Sequence, residues 1–265
     1  MNPYRQPLAG GLPVVVKNLL IINGLLFLLR MAYGEDELGR NVLDMHLGMY
    51  HIGSPNFRPW QLITHMFMHG SPMHLLTNMF ALFMFGAPVE QLWGPKRFIT
   101  YYMLCGLGAA GLHMAVNSFE VKRDMDRVAS YGVDPGEVRA IADQAAFTPG
   151  EANEELNRIL QHHEVPQEAL VDLYFDHQGT MVGASGAIFG ILLAFGMLFP
   201  NAEILLLLFP IPIKAKYFVV LYGLFELASG LKQSPNDNVA HFAHLGGMIF
   251  GYLLIRHWRK KELFF

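Results

Sequence analysis

Charge and cysteine are both scarce in this chain. Asp, Glu, Lys and Arg make up 15% of its 265 residues, against about 25% in an ordinary soluble domain. That shortfall excludes a conventional water-soluble globule. The one cysteine, Cys105, excludes an intramolecular disulfide. It lies in an apolar run and reads as a small packing residue rather than a nucleophile. What the chain has instead is apolar surface: 52% of its residues are hydrophobic and the mean hydropathy is +0.29. This composition points to a polytopic membrane protein.

A membrane-spanning helix needs about 20 mostly apolar residues. Six stretches qualify, near 12–31, 72–92, 97–116, 181–199, 213–231 and 239–257. The first is followed by no small-residue cleavage pattern and lacks the Arg- and Ser-rich character of a transit peptide, so it reads as a span. The segment from Asn201 to Pro212 is apolar but broken by Pro210 and Pro212. It is assigned to the connection before span five or to the start of that helix. Lys and Arg then set the orientation. The side holding both termini collects ten basic residues, Arg5, Lys17, Lys96, Arg97, Lys214, Lys216, Arg256, Arg259, Lys260 and Lys261. The other side holds four, Arg30, Arg40, Arg58 and Lys232. Both termini are therefore expected in the cytoplasm, and a prokaryotic cell membrane is the expected location.

Residues 117–178 break the pattern, with thirteen acidic and five basic residues. Val138, Ile141, Ala142 and Ala145 recur at helical spacing, as do Leu156, Ile159 and Leu160. Thr148-Pro149-Gly150-Glu151 and Asp134-Pro135-Gly136-Glu137 both read as helix starts. The expected organisation is a membrane core over 1–116 and 179–265, with an acidic helical insertion over 117–178 between spans three and four. The insertion is either a lid, docking or partner element on the outer side, or a solvated decoration.

Polar residues inside apolar spans are costly and mark function by default. Ser185 stands in Gly183-Ala184-Ser185-Gly186 at the start of span four. His244 stands in Ala243-His244-Leu245-Gly246-Gly247 at the start of span six, and His74 and Asn78 stand near the start of span two. By the orientation above, all lie within roughly 10 Å of the outer ends of their helices, at 1.5 Å of rise per residue. A serine is a weak nucleophile until a base takes its proton, and histidine suits that role. Ser185 and His244 are the expected nucleophile and base. Glu203 and Glu226 read as too far along their helices to reach them, so a dyad without an acidic third member is expected. Gly183, Gly186 and Gly190, with Gly246, Gly247 and Gly251, leave faces bare enough for close helix approach. His74, Asn78 and the Ser185 backbone N–H are candidate donors to an oxyanion. A metal reading of His65, His69 and His74 fails for want of an HExxH pattern or a nearby carboxylate. No metal, no cofactor and no nucleic-acid partner are expected.

His69-Gly70-Ser71-Pro72-Met73-His74-Leu75-Leu76-Thr77-Asn78, Gly183-Ala184-Ser185-Gly186 and Ala243-His244-Leu245-Gly246-Gly247, taken in this order, resemble the rhomboid intramembrane serine proteases. The resemblance covers the six-span core of about 200 residues and excludes the insertion. It implies an all-α, six-transmembrane-helix bundle. It implies a Ser185–His244 dyad, an oxyanion site of His74, Asn78 and Ser185, and His241 lining the pocket. Gly183 takes the place of the glycine two before the nucleophile, and Glu90 resembles a structural glutamate near the inner end of span two. The implied substrates are transmembrane segments of other proteins in the lipid bilayer, cleaved near the outer surface, with span five a gate for entry. Trp60-Gln61 departs from the Trp-Arg of many members. Two other classes compete: a catalytically inactive relative that binds membrane clients, and a transporter using its histidines as a proton relay. The first typically lacks the serine or the histidine, and an inverted repeat expected of the second is not visible.

Overall fold

A computed structural model describes residues 11–35, 40–145, 149–178, 180–206, 209–232 and 239–260. The expected cap Thr148 and the basic residues Arg5 and Lys261 lie outside these. In chain order the elements are α1 (Val14–Tyr33), α2 (Val42–Leu47), α3 (Gln61–Thr64), α4 (Pro72–Trp93), α5 (Pro95–Ala129), α6 (Pro135–Ala145), α7 (Pro149–His162) and α8 (Gln167–Gln178). They continue with α9 (Ser185–Leu198), β1 (Glu203–Leu206), β2 (Phe209–Lys214), α10 (Ala215–Lys232) and α11 (His241–Lys260).

Helices stand at all six places where the apolar runs predict them. Among the described residues, α1, α4 and α5 are long and apolar enough to cross a membrane. The 14-residue α9 extends about 21 Å, short of the roughly 30 Å hydrocarbon layer. It is instead buried on all faces: Gly186, Ala187, Ile188, Phe189, Gly190, Ile191 and Leu192 are all inside. A helix apolar all round belongs at the centre of a bundle. By contrast α10 exposes Val220, Leu221, Leu224 and Phe225, an apolar exterior suited to lipid.

The chain divides into two compact units, 1–29 with 66–113 and 183–265, and 30–65 with 114–182. The first is the helix bundle that carries Ser185 and His244. Its core joins Val16 and Leu19 of α1, Leu82 and Val89 of α4, Phe98, Tyr101 and Tyr102 of α5, and Ile188 and Ile191 of α9. Glu90, 3% exposed, ties α4 to α1. Its two carboxylate oxygens accept from the backbone N–H groups of Val15 and Val16 at 2.9 and 2.8 Å. Those donors have no intrahelical acceptor, and α1 has no acid in its own first turn, so Glu90 supplies the negative charge that the helix start favours. Within α4 the helix widens to a π-type turn over Leu82–Gly86. Pro88 explains it: its ring would strike the carbonyl four residues back.

The segment 201–212 belongs to the connection before α10, one of the two expected placements. Within it β1 pairs antiparallel with β2, with Glu203 opposite Lys214 and Ile204 opposite Ile213. Pro210 and Pro212 prevent a helix there.

The second unit has a core of its own: Val121 and Val128 from the last turns of α5, Val138 and Ile141 of α6, Ile159 of α7 and Leu170 and Leu173 of α8. The acidic segment is thus helical, as its spacing predicts. Two features differ. Span three does not end near 116 but continues as one helix of 35 residues to Ala129, because Val121 and Val128 keep an apolar stripe going. The insertion also shares its unit with 30–65, where His51 Nε2 meets the Ser118 hydroxyl at 3.1 Å and Arg139 donates to the Gly53 carbonyl. Asp134 starts α6 by accepting from the Gly136 N–H at 2.9 Å.

Gln61, standing where an arginine is common, is fully buried and ties its loop together. Its side-chain Oε1 accepts from the Arg58 N–H at 3.0 Å, and its side-chain Nε2 donates to the Asn56 backbone carbonyl at 3.2 Å. His65 bonds the Gln61 carbonyl through Nδ1 at 2.7 Å, and its burial pushes the imidazole pKa down to about 4. The ring is therefore neutral at physiological pH.

Candidate active site

Ser185 is the first residue of α9, so its backbone N–H has no acceptor within the helix. Two residues earlier Gly183 has φ +136°, which side chains rarely tolerate. A Cβ there would also lie 2.9 Å from Cε1 and Nε2 of His74 and 3.5 Å from the Ser185 hydroxyl. Glycine at 183 is thus required twice, by backbone conformation and by the approach of His74.

His244 sits one turn into α11, and its Nε2 lies 2.9 Å from Ser185 Oγ. Fifty-nine residues of sequence separate the two. They meet because α9 and α11 pack backbone to backbone. A Cβ on Gly247 would collide with the Gly186 carbonyl, and one on Gly190 would lie 3.0 Å from the Gly247 carbonyl. Gly186 itself faces Ala109 of α5. Tyr101 locks the same region by donating to the Gly190 carbonyl at 2.8 Å.

The other face of His244 is stacked on Phe189, with ring centroids 4.1 Å apart and planes 9° from parallel. Phe189 follows Ser185 by four residues, so the two share a helix face; that spacing could have flagged it.

The expectation of a base without an acid is corrected here. Glu226 Oε2 lies 2.8 Å from His244 Nδ1 and 2.6 Å from His241 Nδ1. An ionised carboxylate only accepts, so each Nδ1 carries its proton. The consequence is a defined tautomer: His244 Nε2 is left as the acceptor facing the Ser185 O–H. Counting along the chain hides Glu226, because α10 runs opposite to α9 and α11. Counted back from the end of α10 at Lys232, Glu226 lies six residues in, about 9 Å along the axis, while His244 lies three residues into α11. His241 points its Nδ1 at this carboxylate, and its side chain is 9% exposed.

Among the expected oxyanion donors, His74 is beside Gly183 as described. Asn78 is 6% exposed, and its amide donates to the His74 carbonyl at 2.9 Å, which engages one of its two N–H groups. His65 lies in the other compact unit. His69 packs its ring edge-on against His74, with centroids 5.0 Å apart.

The rhomboid domain model matches residues 56–123 and 167–260, which takes in Ser185, His244 and the elements that bring them together. The chain belongs to the rhomboid family. The stretch left unmatched, 124–166, falls within the acidic insertion. This rhomboid is 27% identical over 225 residues to an uncharacterized mitochondrial rhomboid protein of Schizosaccharomyces pombe, covering 78% of this chain and 53% of the relative. It is 24% identical over 256 residues to the mitochondrial RHOMBOID-like protein 12 of Arabidopsis thaliana, covering 95% and 60% respectively. Over 77 residues it is 43% identical to the mitochondrial Rhomboid protein 1 of Saccharomyces cerevisiae, covering 28% and 21%. The chain therefore spans between half and three-fifths of the length of the first two. It is a membrane protein, with apolar helices and rhomboid relatives. The relatives named here are mitochondrial, which leaves the expected prokaryotic membrane without support.

Proposed function

We propose that this rhomboid is an intramembrane serine endopeptidase that cleaves transmembrane segments of other proteins. The observation that carries the reading is the 2.9 Å contact between Ser185 Oγ and His244 Nε2, with the tautomer of His244 set by Glu226. In this mechanism Ser185 Oγ attacks the scissile carbonyl carbon while His244 Nε2 takes the hydroxyl proton. The carbonyl oxygen becomes an oxyanion, held by the Ser185 N–H with His74 and Asn78 as further donors. His244 then gives the proton to the departing amine. Water, activated by the same imidazole, releases the acyl chain and restores Ser185. In this reading both termini lie on one side of the membrane and the chemistry lies near the opposite surface.

Glu226 acts through His244 and is a positioning residue. It holds the imidazole in one tautomer and balances the imidazolium that forms in each step. Replacing Glu226 with Gln keeps the shape and removes the charge. The expected outcome is a fall in kcat on the order of 10²- to 10⁴-fold, as for other triads that lose the orienting carboxylate, with KM little changed. A purely structural role would instead lower the amount of folded protein and leave kcat of the remainder alone. Steady-state kinetics on folded, quantified Glu226→Gln separates the two.

A fluorophosphonate probe tests the protease reading directly. It should label wild-type protein at Ser185, found by peptide mass, and label His244→Ala much more slowly. An inactive client-binding rhomboid would leave Ser185 unlabelled in folded wild-type protein, and that result would sink the proposal.

A further inference from the structure

We propose that Glu226, His241 and His244 form a binding site for a transition-metal cation, with Zn2+ as the best match, through which the metal switches the protease off. The inhibition rests on the protease reading above; the binding rests on geometry alone. The three side chains are buried, and their donor atoms lie within 4.8 Å of one another. Both Nδ1 atoms converge on a single carboxylate oxygen, at 2.6 and 2.8 Å. Two imidazoles and one carboxylate is a recurrent donor set for Zn2+ with an open fourth position. The nitrogens disfavour Mg2+ and Ca2+, which take oxygen ligands.

The fit needs a rearrangement of the three side chains, because the two Nδ1 atoms, within 4.8 Å of each other, must close toward the spacing a metal sets. Tetrahedral Zn2+ with bonds of about 2.0–2.2 Å sets donor atoms roughly 3.3 Å apart, so the carboxylate must withdraw from each ring by several tenths of an ångström. The side chains of His241, Glu226 and His244 are 9%, 3% and 10% exposed.

The effect follows from the tautomer. When the cation takes His244 Nδ1, the proton displaced from that atom moves to Nε2, and the ring stays neutral. Nε2 then presents an N–H to Ser185 Oγ instead of a lone pair. It can no longer accept the serine proton, and acylation stops. His241 undergoes the same exchange without touching Ser185. Removing the cation returns both protons to Nδ1, so the block is reversible.

Binding is read first, without any need for activity. Purified full-length protein in detergent is titrated with Co2+, which absorbs strongly in the visible range when tetrahedral. One Co2+ per chain is expected to bind with that spectrum, be displaced by Zn2+ and not by Mg2+, and be lost in His241→Gln. No such spectrum in wild-type protein, or one that survives in His241→Gln, overturns the site. Inhibition is read second, as the rate of fluorophosphonate labelling at Ser185. Saturating Zn2+ is expected to slow labelling of wild-type protein at least tenfold and EDTA to restore it, while His241→Gln, normalised to its own metal-free rate, becomes at least tenfold less sensitive. Metal binding with undiminished labelling overturns the switch. A metal spectrum in a protein that never labels keeps the site and instead sinks the protease reading. If His241→Gln does not fold, the wild-type Co2+ spectrum and the Zn2+/EDTA reversal still decide the matter.

Discussion

Ser185→Ala is expected to remove cleavage of a reporter transmembrane segment in liposomes, by a factor on the order of 10⁴ or more. A serine–histidine unit loses most of its rate enhancement when either member goes, and the losses do not add. His244→Ala should therefore fall as far as Ser185→Ala, and the double variant no further. The physical reason is that the 2.9 Å contact works only as a pair: the hydroxyl is a weak nucleophile without the base, and the base has nothing else to activate for acylation. Ser185 is a small side chain at a helix start, so its removal leaves the packing of α9 intact. Thermal unfolding of Ser185→Ala should match wild type. The readout is gel-resolved product at a bond located by mass. Cleavage persisting at that same bond in either single variant contradicts the assignment.

The second large effect is expected from a methyl group far smaller than the side chain of Ser185 or His244. In Gly247→Ala the new Cβ meets the backbone carbonyl of Gly186, which cannot move aside as a side-chain tip would. Overpacking of this kind typically costs about 1–3 kcal/mol. Here it also pushes α11 away from α9, and those two helices carry His244 and Ser185. A shift of about 1 Å of the base is enough to cost on the order of 10² in rate. Gly247→Ala is thus expected to lose both thermal stability and at least 10²-fold in cleavage. Gly24→Ala is the control, because a Cβ at Gly24 meets nothing within 4 Å; it should match wild type in both measurements. Wild-type cleavage by Gly247→Ala means that the glycine contact does not set the Ser185–His244 distance.

Much of this site was legible in the chain because its members are out of place there. A serine flanked by glycines and histidines in apolar stretches stand out against lipid, since polar groups in a membrane are costly without a purpose. The six apolar runs predicted helices where helices are found. What failed were statements about distance between elements. Glu226 read as remote because its depth was counted along the chain, whereas α10 runs antiparallel to its neighbours and brings it to His244. Phe189 shares a helix face with Ser185 by its spacing, but its stacking on His244 is visible only in the tertiary structure. The change in composition near residue 117 is not the end of α5, which runs on to Ala129. The stripe of Val121 and Val128 carries the helix into a second core instead.

The sequence by itself determined the membrane character, the helical class and which serine and histidines stand out of place in apolar stretches, because these follow from solvation cost and from local periodicity. The tertiary structure alone decided that His244 has an acidic partner, that His241 shares it, and that α9 sits buried at the centre of its unit. Those features depend on which helix faces meet. Backbone contact at Gly186 and Gly247, together with the direction in which α10 returns, settles that across tens of residues of chain.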